Sequence, residues 1–179
     1  DNSAGTSGAG GEVFLRSTGA GDITLGGAIT ASGGAATGAG NNGGAGGVVT
    51  LNAANGSILI NAAIDVSGGT SALATQGNAG TVQLSTAGAT GAITQTGETA
   101  TTAILAKGGT TGSLAVVSAT GDVTLTNDSN DVSKLAGNVV STGKFLRYTD
   151  ANALDIDTVT AAGTLGAPST TAALPGRSE

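Results

Sequence analysis

The chain has 179 residues, among them 33 Gly, 32 Ala and 28 Thr, with 12 acidic and 6 basic side chains, 2% aromatics, and no His, Cys, Met or Trp. Without His or Cys there is no imidazole base, thiol nucleophile, disulfide or thiolate metal site, and so few aromatic rings cannot fill a conventional two-layer core. A net charge of −6 offers no footprint for a phosphate backbone, so nucleic acid is not an expected partner; no apolar run reaches the roughly 18–20 residues of a membrane span.

Residues 1–10 read as a loop-like lead-in. From Gly11 to about residue 165 one order recurs five times: strand, strand, strand, Gly-rich loop. Coil one opens at Gly11 with Val13 and Leu15, continues at Gly21 with Ile23 and Leu25, and reaches Ile29 and Ala31 before Gly33-Gly34 and an excursion over 35–46. Coil two opens at Gly47 with Val49 and Leu51, continues at Gly56 with Ile58 and Ile60, and passes Ile64 and Val66 to Gly68-Gly69 and an excursion over 70–79. Coil three opens at Gly80 with Val82 and Leu84, continues at Gly91 with Ile93, and ends with Ile104, Ala106 and Gly108-Gly109. Coil four opens at Gly112 with Leu114 and Val116, continues at Gly121 with Val123 and Leu125, and closes at Val132. Coil five is placed at Gly137 with Val139, then Gly143 with Phe145, then Leu154 and Ile156. Gly163-Thr164-Leu165 reads as the start of a sixth coil, and 166–179, with both prolines, as a flexible linker-like tail.

Apolar residues at alternate positions over four or five residues signal strands, and nothing sustains a helical period. Equivalent strands at equivalent places make the predicted fold all-β: a parallel β-helix, or β-solenoid, of five three-strand coils, about 24 Å long at a 4.8 Å rise. Inward residues then stack on their equivalents, Val13 on Val49 on Val82 and Ile23 on Ile58 on Ile93. The Gly before each strand is expected at a corner needing φ > 0. Asn55-Gly56 also reads as a hairpin turn, but Ala20-Gly21, Thr90-Gly91 and Thr120-Gly121 do not. In coil five, strict alternation from Phe145 turns Arg147 inward. A bulge that turns Leu146 and Tyr148 inward is favoured, because it keeps that charge in water. Asp122 and Lys144 are expected to pair outward in adjacent coils.

The stretches GEVFLRSTGAGDITLGGAITASGG, GGVVTLNAANGSILINAAIDVSGG and GDVTLTNDSNDVSKLAGNVVSTG resemble the repeats of large bacterial filamentous-haemagglutinin-type exoproteins. The resemblance covers roughly residues 11–165. It implies a right-handed β-helix, export to the bacterial surface or beyond, and an adhesive role. The Asn-Pro-Asn motifs of that family's secretion domain do not occur here, so the implied part is the repetitive shaft. No functional residue carries over, since the matching positions are structural.

Four patterns bear on chemistry. Gly38-Ala-Gly40-Asn-Asn-Gly43 fits a dinucleotide fingerprint but lies in a loop leading to a strand, with no helix to hold a pyrophosphate. Gly43-Gly-Ala-Gly46-Gly47-Val48 approaches a calcium nonapeptide but puts Val48 at the carboxylate position. Acidic residues gather at Asp122, Asp128, Asp131, Asp150, Asp155 and Asp157. These are read first as a solvated face, with Asp150, Asp155 and Asp157 as weak calcium ligands and Asp155 with Asp157 as a polysaccharide-cleaving pair behind that. Outward Thr positions raise ice binding, but Thr24, Thr94 and Thr124 are interrupted by Leu59. The expected function is therefore a non-enzymatic, cofactor-free structural or adhesive rod, extracellular or on a cell surface. It would present Gly-rich loops to host-cell or matrix glycans and proteins and stack end to end on further copies or coils. The alternative is a polysaccharide-active or carbohydrate-binding β-helix using the Asp150–Asp157 region.

Overall fold

The computed structural model describes residues 5–110, 112–160 and 162–163. The tail 166–179 and Leu165 lie outside them. Among the described residues are fourteen strands, one 3-10 turn (Ala100–Thr102) and no α-helix. In chain order the strands are β1 (Glu12–Ser17), β2 (Ile23–Leu25), β3 (Ile29–Thr30), β4 (Val48–Ala53), β5 (Ile58–Ile60), β6 (Ile64–Asp65), β7 (Thr81–Thr86), β8 (Ile93–Gln95), β9 (Ile104–Leu105), β10 (Ser113–Ser118), β11 (Val123–Leu125), β12 (Lys134–Val139), β13 (Leu146–Tyr148) and β14 (Asp155–Ile156). They form three sheets, ordered β1-β4-β7-β10-β12-β14, β2-β5-β8-β11-β13 and β3-β6-β9, and every pairing is parallel. The chain visits the sheets in rotation. Successive circuits start 36, 33, 32, 21 and 21 residues apart (12, 48, 81, 113, 134, 155).

Register follows the inward apolar rows. Val13, Val49, Val82, Leu114 and Leu135 stand side by side in the first sheet, and Ile23, Ile58, Ile93, Val123 and Leu146 in the second. With Ile64 and Ile104 of the third sheet they join one apolar cluster. Ile58, Ile60, Ile64, Ile93 and Ile104 are 0% exposed, and full burial of such a side chain contributes about 1.5–3 kcal/mol. In the first circuit Leu15 is 40% exposed, and among the described residues no strand lies above it.

Ladder rows, and not glycines, set the last circuits. The fifth starts at Lys134, so Gly137 is no strand start; it sits mid-strand opposite Val116. Choosing Leu135 as the partner of Leu114 buries it to 2%. Ile156 pairs beside Leu135, so it opens a sixth circuit and does not close the fifth. Gly143 has φ +77, and one additional residue after it brings Leu146 opposite Val123 and Tyr148 opposite Leu125. Arg147 is outward, 4.3 Å from the Phe145 ring centroid. Lys144 reaches Asp122 of the circuit below at 3.4 Å.

The corner reason for glycine is corrected too. Of the ten strand-start glycines only Gly143 has positive φ. At Gly47, Gly80, Gly56 and Gly121 a Cβ would overlap the carbonyl of the glycine one circuit away (Gly11, Gly47, Gly21 and Gly91). The cause is close approach of backbones.

The two excursions are a second ordered layer. Outgoing arms (31–36, 66–71) and returning arms (42–47, 75–80) bond to the same neighbour every third residue. Gly44 and Gly47 donate to the Gly34 and Ala31 carbonyls, and Gly77 and Gly80 to those of Gly69 and Val66. Between circuits, Gly43 and Gly46 donate to Thr75 and Asn78, and Ser7 and Gly10 to Asn42 and Ala45. A three-residue period without internal bonds is that of polyproline II backbone. Such arms pack this closely only without side chains. A Cβ on Gly44 would overlap the Gly8 carbonyl, and one on Gly77 the Gly44 carbonyl.

Candidate functional site

The acidic corner comes first. Asp150, in the turn after β13, accepts from the Tyr148 hydroxyl at 2.6 Å, from the Val132 N–H at 3.1 Å and from the Asn152 N–H at 3.0 Å. Burial, then the bond to Asp150, pushes the Tyr148 hydroxyl well above the ordinary phenol range, so it stays a donor. Asp131 is held by Lys107 at 3.0 Å and by the Asn152 amide at 2.9 Å. Asp157 is held by Lys134 at 2.8 Å and by the Thr158 N–H at 2.6 Å. The hydrogen bond from Lys134 holds the Asp157 carboxyl below the usual carboxylate range, and the same bond raises the Lys134 ammonium. Asp155, in β14, sits beside Lys134 in the ladder. Among the described residues no three carboxylates converge as a metal site needs, so Asp150, Asp155 and Asp157 are not a calcium cage. Two of the three are occupied instead by internal donors that fix the turn after β13 and the start of the segment after β14.

A buried polar knot lies nearby. Gln95 occupies an inward position beside Ile60 and exchanges amide bonds with Asn130 at 2.8 and 3.0 Å; it also donates to the Thr102 carbonyl at 2.7 Å. Asn130 Oδ1 accepts from the Ile104 N–H at 2.8 Å. No described buried side-chain polar atom lacks a partner, so the knot is a closed structural network. The sequence signal was the polar Gln95 in an otherwise apolar row.

The outer face of the first sheet was not anticipated. Its central row reads Phe14, Thr50, Gln83, Ala115, Ala136. Thr50, Gln83, Ala115 and Ala136 are at most 2% exposed, although they point away from the core. The chain after β14 covers them. Val159 is 3% exposed against Ala115 and Ala136, with Val117 beside it. The Gln83 amide donates to the Ala162 carbonyl at 2.7 Å, accepts from the Ala162 N–H at 3.3 Å and donates to Thr50 Oγ1 at 3.0 Å. Gly163 lies against Glu12, where a Cβ would overlap the carboxylate, and beside Val48. Gly163 therefore starts no sixth coil; it ends a strap running back across the strands. Val159 to Gly163 is four residues, about 13 Å when extended, which matches roughly three strand spacings.

Two other surfaces are polar or open. The return arms carry a shallow cavity of about 260 Å³, lined by Thr6, Asn42, Thr75, Gln76 and Asn78 side chains among glycine backbone. The outer row of the second sheet reads Thr24, Leu59, Thr94, Thr124, Arg147, which is no continuous Thr ladder. Among the described strands β1, β2 and β3 stand at one end of their sheets; at the other, β14 and β13 are short and flanked by charge. No family model, curated protein or solved structure matches the chain.

Proposed function

We propose that the chain is a β-solenoid segment, each circuit being one coil, and that it serves as a non-enzymatic structural or adhesive rod of a bacterial surface protein. What supports the solenoid is the rotation of the chain through three parallel sheets with inward rows that are apolar but for Gln95 in the second sheet. At about 4.8 Å per circuit, six circuits make a body roughly 29 Å long. The cell-surface setting and the adhesive role rest on the resemblance of residues 11–165 to haemagglutinin-type repeats. The mechanism is presentation. Stacked coils stiffen the shaft, and the outer surfaces of the sheets and glycine arms meet partners laterally.

End-to-end association follows from the open edge. β1 is six residues long, and Leu15 within it is 40% exposed. Such an edge is a template for another strand. Multi-angle light scattering over a hundredfold concentration range should show mass increasing with concentration, and electron microscopy should show thin rods. Leu15→Lys should abolish the rods. A wild-type chain that stays monomeric at the highest concentration, and that does not adhere to cells or matrix, would overturn the reading.

A further inference from the structure

We propose that the outer face of the first sheet is a docking groove for an extended, small-residue chain segment, and that its partner is a second copy of this chain, which inserts its own Val159, Ala162 and Gly163 there. This surface is lateral, so the inference goes beyond end-to-end stacking and does not depend on it.

The groove is already shown with an occupant of that chemistry. Its floor is the row Thr50, Gln83, Ala115, Ala136, flat because its residues are short apart from Gln83. Gln83 reads a peptide unit and not a side chain, giving its N–H to the Ala162 carbonyl and taking the Ala162 N–H on its own carbonyl. Selectivity comes from either side. Val159 fills the space over Ala115 and Ala136, and Gly163, at φ +95, takes a backbone conformation that L side chains rarely adopt. The groove thus recognises the pattern Val-x-x-Ala-Gly, with strand-perpendicular approach and no added ladder.

These contacts are made by one linear segment on one sheet face, and none uses the covalent link through Asp157 and Thr158. The same segment from a neighbouring copy makes the same contacts, which is the geometry of element exchange. In cis the segment has an effective concentration on the order of millimolar. Copies therefore close on themselves when dilute and exchange straps when crowded, as repeats on a surface are.

The test uses full-length chain. Val159→Asp releases the resident strap, and a synthetic peptide of residues 157–166 is then titrated in by fluorescence anisotropy. Saturable binding is expected to the variant, at least tenfold weaker to wild type, whose groove is filled. Binding should also fall at least tenfold when the peptide carries Gly163→Val or the protein carries Gln83→Leu in addition. If Val159→Asp changes the far-ultraviolet circular dichroism, Ala162→Pro, which removes the N–H given to Gln83 and sets the proline ring against that amide, takes its place. The Leu15→Lys chain, whose sheet-edge stacking is blocked, should yield at millimolar concentration a dimer on sizing that excess peptide dissolves. A folded, strap-released chain that does not bind the peptide, or binds the Gly163→Val peptide equally, would overturn the docking groove. A concentration-dependent dimer indifferent to the peptide would overturn strap exchange.

Discussion

At Ile58 the space between neighbouring circuits is filled by a side chain, while at Gly44 it is filled by the carbonyl of Gly8. Gly44 lies near the end of the first circuit and Ile58 in the second. The apolar core gains from each methyl it buries, and stacking like on like lets Val, Ile and Leu fill it without aromatics. The glycine layer gains from backbone hydrogen bonds. Its chain of donors runs Gly109 to Gly77, Gly77 to Gly69, Gly69 to Gly44, Gly44 to Gly34 and Gly34 to Gly8. Substitution therefore has opposite signs of danger in the two regions: subtraction harms the core and addition harms the layer.

The sharpest break is Gly44→Val. It drives a Cβ carrying two methyls into the Gly8 backbone and should cost more than about 3 kcal/mol, a fall in melting temperature on the order of 10 °C. Gly26→Ala and Gly27→Ala, with nothing within 4 Å of a built Cβ, should melt with wild type. Equal melting of Gly44→Val and wild type would show that the arms are not close-packed. Next is subtraction. Ile58→Ala should cost about 3 kcal/mol and Leu15→Ala under about 1, because only Ile58 is enclosed. Denaturant titration measures both, and equal costs would mean that the first circuit is covered.

The core was legible because two independent signals agreed. Alternation marked Val13, Val49 and Val82, and the repeat marked their equivalence. Where the signals separated, the reading slipped. Gly137-Asn-Val139 imitates a strand start, yet the ladder selects Ser133-Lys134-Leu135, which carries no Gly; a shortening from 32 to 21 residues hid the true period. The glycines were located by sequence but misexplained, since a torsional need and a packing need leave the same letter. The excursions read as loops because a polyproline II layer has no hydrophobic period. The strap was invisible for a related reason: a single apolar residue, Val159, has no pattern, and only the fold brings Gln83 under Ala162.

Side chains return as the structural currency at the far end, and Tyr148→Phe tests that with a smaller effect. Deleting the hydroxyl leaves Asp150 the Val132 and Asn152 N–H donors, so the expected loss is about 1 kcal/mol. Tyr148 is the only tyrosine, and the chain has no Trp, so its ionisation is directly visible. Since burial and Asp150 raise its pKa, phenolate absorbance should be absent at pH 11 in the native protein and present in urea at the same pH. Phenolate in the native state at that pH would dissolve the Tyr148–Asp150 contact.

The smallest effect separates charge from packing at the root of the strap. Asp157 has a lowered pKa because Lys134, then the Thr158 N–H, bond to its charged form. Its contribution is fully present above the ordinary aspartate value of about 3.9 and is lost as pH falls through the lower folded value. Lys134 has a raised pKa through the same bond, so its contribution is fully present below about 10.4 and is lost as pH rises through the raised folded value. Between about pH 5 and 9 the pair's effect on stability is therefore flat. Asp157→Asn keeps an oxygen for the Thr158 N–H and removes only the charge. The variant should melt on the order of 1 °C below wild type across that window, because the pair is exposed and screened. The difference should close below pH 4, where wild type loses the same charge, and it should shrink in high salt. A difference that persists undiminished into acid would assign the role of Asp157 to packing of the strap instead of to its charge.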